Sequence, residues 1–197
     1  VPAGRWLLVE EPGYGLAVIN DSNHGHSVAP LRTSPRGHDG AGTQVSLSLM
    51  RAPVFPDPQA DQSERTVQFS LLLDAVVESA TRAGYELNLP PRVVNAPALQ
   101  LATLEVPGAH IEAVLPAEDG SGDVIMRLYE GAGRPASGVL RLAFDAARVR
   151  EVDPLEDDLS EDLWPPRVDV TGTREVPVAL TAFTILTLRI TPAGGQS

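Results

Sequence analysis

The sequence predicts an all-β chain: one or more antiparallel β-sandwich units built from about ten or more short strands, with at most one short helix. Three observations carry this. Apolar and polar residues alternate with period two in at least five separate segments. The 18 prolines and 17 glycines are scattered as punctuation between those segments. No regular alternation of strand-like and long helix-like stretches is present, so a parallel βαβ sheet is not indicated.

Taken in order, strands are expected at 5–10 and 14–20, on either side of Pro12-Gly13. Val45, Leu47 and Leu49 alternate with Ser46 and Ser48, and Val67, Phe69 and Leu71 interleave with Thr66, Gln68 and Ser70, the pattern of half-buried strands. A helix is expected over 75–84, where Ala75, Val76, Ala80 and Ala83 fall near i, i+4 spacing and Gly84 supplies an end signal. Further strands are expected at 101–106 and 111–116. Val124, Met126 and Leu128 alternate, as do Leu140, Leu142 and Phe144, and 130–135 between them reads as a hairpin loop. Leu186, Leu188 and Ile190 form the final alternating run.

A proline-rich stretch, Leu89-Pro90-Pro91-Arg92 through Pro97, cannot join a central ladder and reads as a linker. It predicts a first β unit over 1–90 and a second over 98–197. The length of 197 residues suffices for a buried core without staples.

Composition removes several chemistries. The chain has no cysteine, which excludes disulfides, thiolate nucleophiles and Cys-ligated zinc. It has no lysine, all 15 basic residues being arginine, which excludes a Schiff-base lysine and a P-loop within the chain. A net charge of −11 repels phosphate backbones and anionic lipid, so neither nucleic acid nor a membrane surface is an expected partner. Val1 is followed at once by Arg5-Trp6-Leu7, without a basic and then apolar leader, and the expectation is a piece of something longer.

Catalytic signatures are sparse. G-x-S-x-G, H-E-x-x-H and G-x-G-x-x-G are all missing. His24-Gly25-His26 could offer two imidazoles to a metal but lacks further ligands at telling spacing, so ordinary loop histidines are the preferred reading. Asp57 and Asp61 resemble a calcium loop only superficially, since the glycine and terminal glutamate of an EF-hand are missing. The acidic stretch from Glu151 to Asp162 reads as a solvated loop, and Asn20-Asp21-Ser22, a chance-level glycosylation triplet, is set aside. Arg51 has the parity of Val45, Leu47 and Leu49, so an unbroken strand would turn it to the apolar side. Either the strand ends or bulges at Arg51-Ala52-Pro53, or the arginine faces an acidic site of a neighbouring domain.

Several linked segments resemble one family. Arg5-Trp6, Glu11-Pro12-Gly13-Tyr14-Gly15 and Leu16-Ala17-Val18-Ile19-Asn20-Asp21 are similar to the start of the C-terminal β region of family 38 α-mannosidases, closest to the cytosolic or bacterial type. The likeness continues through Leu49-Met50-Arg51-Ala52-Pro53 and Phe55-Pro56-Asp57-Pro58-Gln59-Ala60-Asp61. It resumes at Tyr85-Glu86-Leu87-Asn88, Arg127-Leu128-Tyr129-Glu130, Glu151-Val152-Asp153 and Phe183-Thr184-Ile185-Leu186-Thr187-Leu188-Arg189. The resemblance implies a parent enzyme that removes terminal α-linked mannose by a retaining, metal-dependent mechanism. Its zinc (or another divalent metal) and its nucleophile would belong to an N-terminal catalytic domain outside this chain.

For this chain the resemblance implies no catalytic residue, no metal and no cofactor of its own. Its partners would be that catalytic domain and a mannose-containing glycan, with a homo-oligomer left open and the cytoplasm as the expected location. Asn20, Asp21, His24 and Arg51 are the positions that would approach the rim of the sugar pocket. Two departures fall there: Asn23-His24-Gly25-His26 stands where the family often has Lys-Tyr-Gly-Tyr, and Arg51-Ala52-Pro53 where it has Arg-Ser-Pro. A supporting domain of this kind should expose an apolar patch awaiting its neighbour. The alternative is a stand-alone carbohydrate-binding module, for which Trp6 and Trp164 are the tryptophan candidates.

Overall fold

A computed structural model describes residues 3–21, 24–31, 42–91, 93, 95, 99–160 and 165–194. They contain eleven strands and one helix, with every strand pair antiparallel. The fold is mainly β, and the chain gathers into two compact units, 1–93 and 94–197.

In the first unit, β1 (Trp6–Glu11) and β2 (Tyr14–Asn20) form a hairpin in register from Glu11 opposite Tyr14 to Trp6 opposite Ile19. Gly13, at φ +85°, takes the left-handed step that closes a two-residue turn. β5 (Phe69–Leu73) pairs with the other edge of β2, giving the order β1-β2-β5. β3 (His26–Pro30) and β4 (Thr43–Leu47) pair only with each other.

The single helix α1 (Val77–Asn88) lies on one face of the three-stranded sheet. Its start has no side-chain cap from Val76; instead the Ser79 hydroxyl accepts the Val76 N–H at 3.0 Å. Ala80, Ala83 and Leu87 pack against Ala17, Ile19, Trp6, Leu8 and Leu72. The helix runs four residues past its expected end. Gly84 is not a terminator but a contact point: a β-carbon there would lie 3.1 Å from Trp6 Cδ1 and from Arg5 Cβ. Glycine in the helix lets β1 come close.

The opposite face of this sheet holds the rows Leu7–Val18–Leu71 and Val9–Leu16–Leu73. Here the structure corrects the sequence reading. The strand begins at Phe69 rather than Thr66, and its apolar side is not half-buried: Phe69, Leu71 and Leu73 are 57%, 61% and 63% exposed.

The second unit is one sheet folded on itself. β9 (Ala136–Val152) and β10 (Asp169–Leu180) are long strands that bend together. The N-terminal part of β9 pairs with β6 (Ala102–Glu105) and with the C-terminal part of β10. Its C-terminal part pairs with β11 (Ile185–Pro192), which continues to β8 (Val124–Glu130) and β7 (Ala109–Pro116). The corner falls where the partner of Thr173 is Ala146 and that of Glu175 is already Arg141, so extra β9 residues loop out and the strand turns. Leu128, Met126, Leu140, Val149, Val176, Leu186, Leu188 and Ile190 fill the space between the two layers.

The sequence reading named neither β3 nor β10. β10 carries Gly172 at φ +60° and Pro177 within it, both of which argue against a strand. The proline is tolerated because β10 is an edge, pairing only with β9. A loop does lie at 130–135 between β8 and β9, but it is not the expected hairpin, because β11 sits between those two strands in the sheet. Its first residue is not a plain loop acid: Glu130 is 1% exposed. Its carboxylate accepts the N–H groups of Ala132 (2.7 Å), Gly133 (3.0 Å) and Phe183 (3.0 Å). The Phe183 N–H above all holds this carboxyl below the ordinary carboxylate range, against the opposing effect of burial.

Candidate functional site

The sequence-predicted residues begin where β2 ends. Asn20 is 1% exposed; its Nδ2 donates to Gly4 O at 3.1 Å, and its own carbonyl accepts Asn88 Nδ2 from α1 at 3.0 Å. It is a knot between β2, the segment entering β1, and the helix end. A side-chain amide so enclosed also cannot carry a glycan in this fold. Asp21 continues the pairing with the segment before β5: its N–H donates to Gln68 O at 3.1 Å, and its Oδ2 accepts Gln68 N–H at 3.1 Å. Ser22 and Asn23 lie outside the described residues.

His24 is exposed and tied by its backbone: Ala3 N–H donates to His24 O at 2.9 Å, while Nδ1 lies 3.2 Å from Ala3 O. Ser48 N–H then reaches Gly25 O at 2.8 Å, extending the β3–β4 hairpin by one pair. β4 stops at Leu47, so the strand that would have turned Arg51 inward has already ended. Arg51 is exposed, and Ala52 beside it sits at φ +44°. Of the two readings of Arg51, a strand that ends before it is the one observed.

His24 and Arg51 meet in one open cleft of about 250 Å³, whose lining also includes Gly25, Ser48, Asp61 and Arg65. Asn20 and Asp21 do not line it; they fix the chain that leads to it. Among the described residues, neither Arg51 nor Arg65 has a hydrogen bond or an ion pair. The cleft therefore presents two guanidinium groups beside the Asp61 carboxylate, each able to donate in a fixed fork to hydroxyl, carboxylate or phosphate oxygens.

Sequence reasoning missed Arg65 altogether and met Asp61 as a superficial calcium-loop acid and as the end of the resembling segment 55–61. The acids of that loop serve its own backbone: Asp57 Oδ1 accepts Gln59 N–H at 2.9 Å, and Asp61 Oδ2 accepts Ala52 N–H at 3.2 Å. The acidic stretch of the second unit is used similarly where it is described. Asp153 Oδ1 accepts the N–H groups of Leu155 (2.8 Å) and Asp157 (2.9 Å), Asp158 pairs with Arg150, and buried Glu151 pairs with Arg167. Glu161, Asp162 and Trp164 lie outside the described residues. Among those described, no three His, Asp or Glu side chains gather as a metal site, and His24 and His26 part company, one exposed and one buried. The zinc implied by the resemblance thus has no fitting ligand set among them. Likewise, no described helix is long and apolar enough to cross a membrane.

These features define an antiparallel, mainly β region with one open, arginine-lined cleft. Comparison with known proteins then gives the family. Residues 1–59 match the family model described as the glycosyl hydrolases family 38 C-terminal domain. Residues 108–188 match that of the glycosyl hydrolases family 38 C-terminal beta sandwich domain. The chain belongs to the C-terminal region of glycosyl hydrolase family 38.

Among curated relatives, human Alpha-mannosidase 2C1 is 32% identical over 168 residues, covering 78% of this chain and 15% of the human protein. Mouse Alpha-mannosidase 2C1 is 30% identical over 142 residues, covering 66% of this chain and 12% of the mouse protein. Alpha-mannosidase G of Dictyostelium discoideum is 27% identical over 141 residues, with the same two shares. The chain therefore spans about one seventh or less of the length of these relatives.

Proposed function

We propose that this chain is the supporting C-terminal part of a longer α-mannosidase, itself non-catalytic. The longer protein would hydrolyse terminal α-linked mannose with retention, using a divalent metal held upstream of this chain, and would work in the cytoplasm. The single observation that carries the supporting role is the exposed apolar row at the β5 edge of the β1-β2-β5 sheet. Phe69, Leu71 and Leu73 stand in one row, each more than half exposed, beside Leu7 and Val18 of the same face, which the fold already buries. Fully burying a leucine or phenylalanine side chain is worth about 1.5–3 kcal/mol, so covering the exposed share of all three would contribute about 3–5 kcal/mol to docking. An upstream catalytic domain is the proposed cover, and His24 and Arg51 are the residues proposed to reach the sugar from this side.

A retaining glycosidase needs two carboxyl groups about 5–5.5 Å apart facing one bond. The carboxylates described above are engaged by backbone N–H groups or arginines, which supports placing the chemistry elsewhere. The test is direct. The chain alone, with a chromogenic α-mannoside and zinc, is expected to give no turnover; added to the separately made upstream part, it should raise that part's activity. Steady hydrolysis by the chain alone would refute the proposal. The alternative of a stand-alone sugar-binding module has no comparable support, since Trp6 packs into the core beneath α1.

A further inference from the structure

We infer that Asp61 is a positioning residue for Arg51, acting through the backbone amide of Ala52; the inference rests on the reading of the cleft as part of the sugar site. Ala52 holds φ +44°, a left-handed conformation that its β-carbon disfavours and that persists only where the surroundings impose it. Asp61, at φ +59°, is the group that imposes it. Its Oδ2 accepts the Ala52 N–H at 3.2 Å and so ties together the two ends of the 52–61 loop.

That amide is part of the Arg51–Ala52 peptide plane, so fixing it fixes ψ of Arg51 and hence the direction in which the arginine leaves the backbone. Nothing else holds the side chain: among the described residues its guanidinium has no hydrogen bond or ion pair. Both residues line the same cleft. The rest of the loop is self-supporting, with Gln59 N–H on Asp57 Oδ1 (2.9 Å), Ala60 N–H on Asp57 O (3.2 Å) and Gln62 Nε2 on Pro58 O (2.9 Å). Loss of the Asp61 bond therefore releases Arg51 without dissolving the loop.

The experiment uses the full-length protein that carries this chain, assayed with 4-nitrophenyl α-mannoside. The variants are Arg51→Ala, Asp61→Ala, Asp61→Asn and the double variant R51A/D61A. R51A should lower kcat/KM, and D61A should lower it about tenfold, the size expected when a charged acceptor is removed from one hydrogen bond. D61N, whose amide oxygen can still accept from Ala52, should recover most of the loss. In the R51A background, D61A should cost nothing further if Asp61 acts through Arg51 rather than by touching the substrate from its own place in the cleft. If D61A folds poorly, D61N and exchange of the Ala52 amide, faster in any variant that lacks the bond, give the same reading. A D61A loss as large in R51A as in the unmodified protein overturns the inference, as does a fully active D61A beside a weakened R51A. A fully active R51A removes the rim reading and the inference with it.

Discussion

The exposed β5 row can be tested by a leucine substitution whose cost should depend on context. Leu71 is 61% exposed and pairs with Val18 in the middle of β2. A fully buried Leu→Ala change costs about 2–5 kcal/mol, and the 39% of Leu71 already shielded scales that to about 1–2 kcal/mol in the chain by itself. In the longer protein the whole side chain would be covered, and the cost should rise toward the full about 2–5 kcal/mol. Leu128, 0% exposed in the core of the second unit, is the control: its replacement by alanine should cost about 2–5 kcal/mol in both settings. Native-state hydrogen exchange reads this locally, through the β2–β5 amides for Leu71 and the β8–β11 amides for Leu128. If Leu71→Ala costs the same in both settings while Leu128→Ala behaves as stated, the face has no cover and the supporting role loses its main argument.

Two further outcomes follow from the second unit. Glu130 has its carboxyl held below the ordinary range by the Phe183, Ala132 and Gly133 N–H groups, so the stability it contributes is present above the unfolded carboxyl value of about 4.3 and is lost as pH falls through the lower folded value. Glu130→Gln should therefore lower the urea midpoint at neutral pH and flatten the decline between neutral and acid pH; an unaltered pH profile would contradict the assignment. Gly138→Ala would place a β-carbon 1.9 Å from the Glu105 carbonyl oxygen, a backbone atom of the paired strand β6 that cannot swing aside. It should cost about 1–3 kcal/mol by thermal unfolding, whereas Gly4→Ala, with nothing within 4 Å, should be close to neutral.

Period-two patterning located most of the elements, because an alternating run needs only local information. It could not say which side would be covered. Val67, Phe69 and Leu71 read as a buried row, yet β5 is an edge strand and its apolar row faces outward. Gly84 read as a helix end because end signals are local, while the close approach of Trp6 that requires a glycine there comes from a strand nearly eighty residues away in sequence. In the candidate site, His24 and Arg51 were found through resemblance, and the structure brings them to one cleft. Arg65 went unnoticed and Asp61 was noticed without its role, because both roles arise from loop closure, which no residue spacing announces.

The arginine-only basic set also has a physical reading. Arg148 meets Asp169 through two parallel bonds of 2.9 and 2.8 Å, and Arg174 meets Asp145 through two of 2.5 and 2.8 Å, pairings that need a planar fork rather than a lysine's point charge. Arg141 in β9 bridges Glu105 in β6 and Glu175 in β10, joining three strands. Exposed pairs of this kind add only about 0–1 kcal/mol each, so their main effect is on register. In a folded sheet a one-residue slip would turn every core side chain outward, and cross-strand forks oppose it. The partners lower Asp145 and Asp169 and raise Arg148 and Arg174, as fixed pairs should. Against that background the cleft of the first unit differs: Arg51 and Arg65 form no hydrogen bond or ion pair among the described residues, and the one carboxylate of the cleft, Asp61, accepts the Ala52 N–H instead. A chain carrying 26 acids and 15 arginines has no shortage of partners. Without an ion pair, these two guanidinium groups keep donors available for oxygens that arrive from outside the chain.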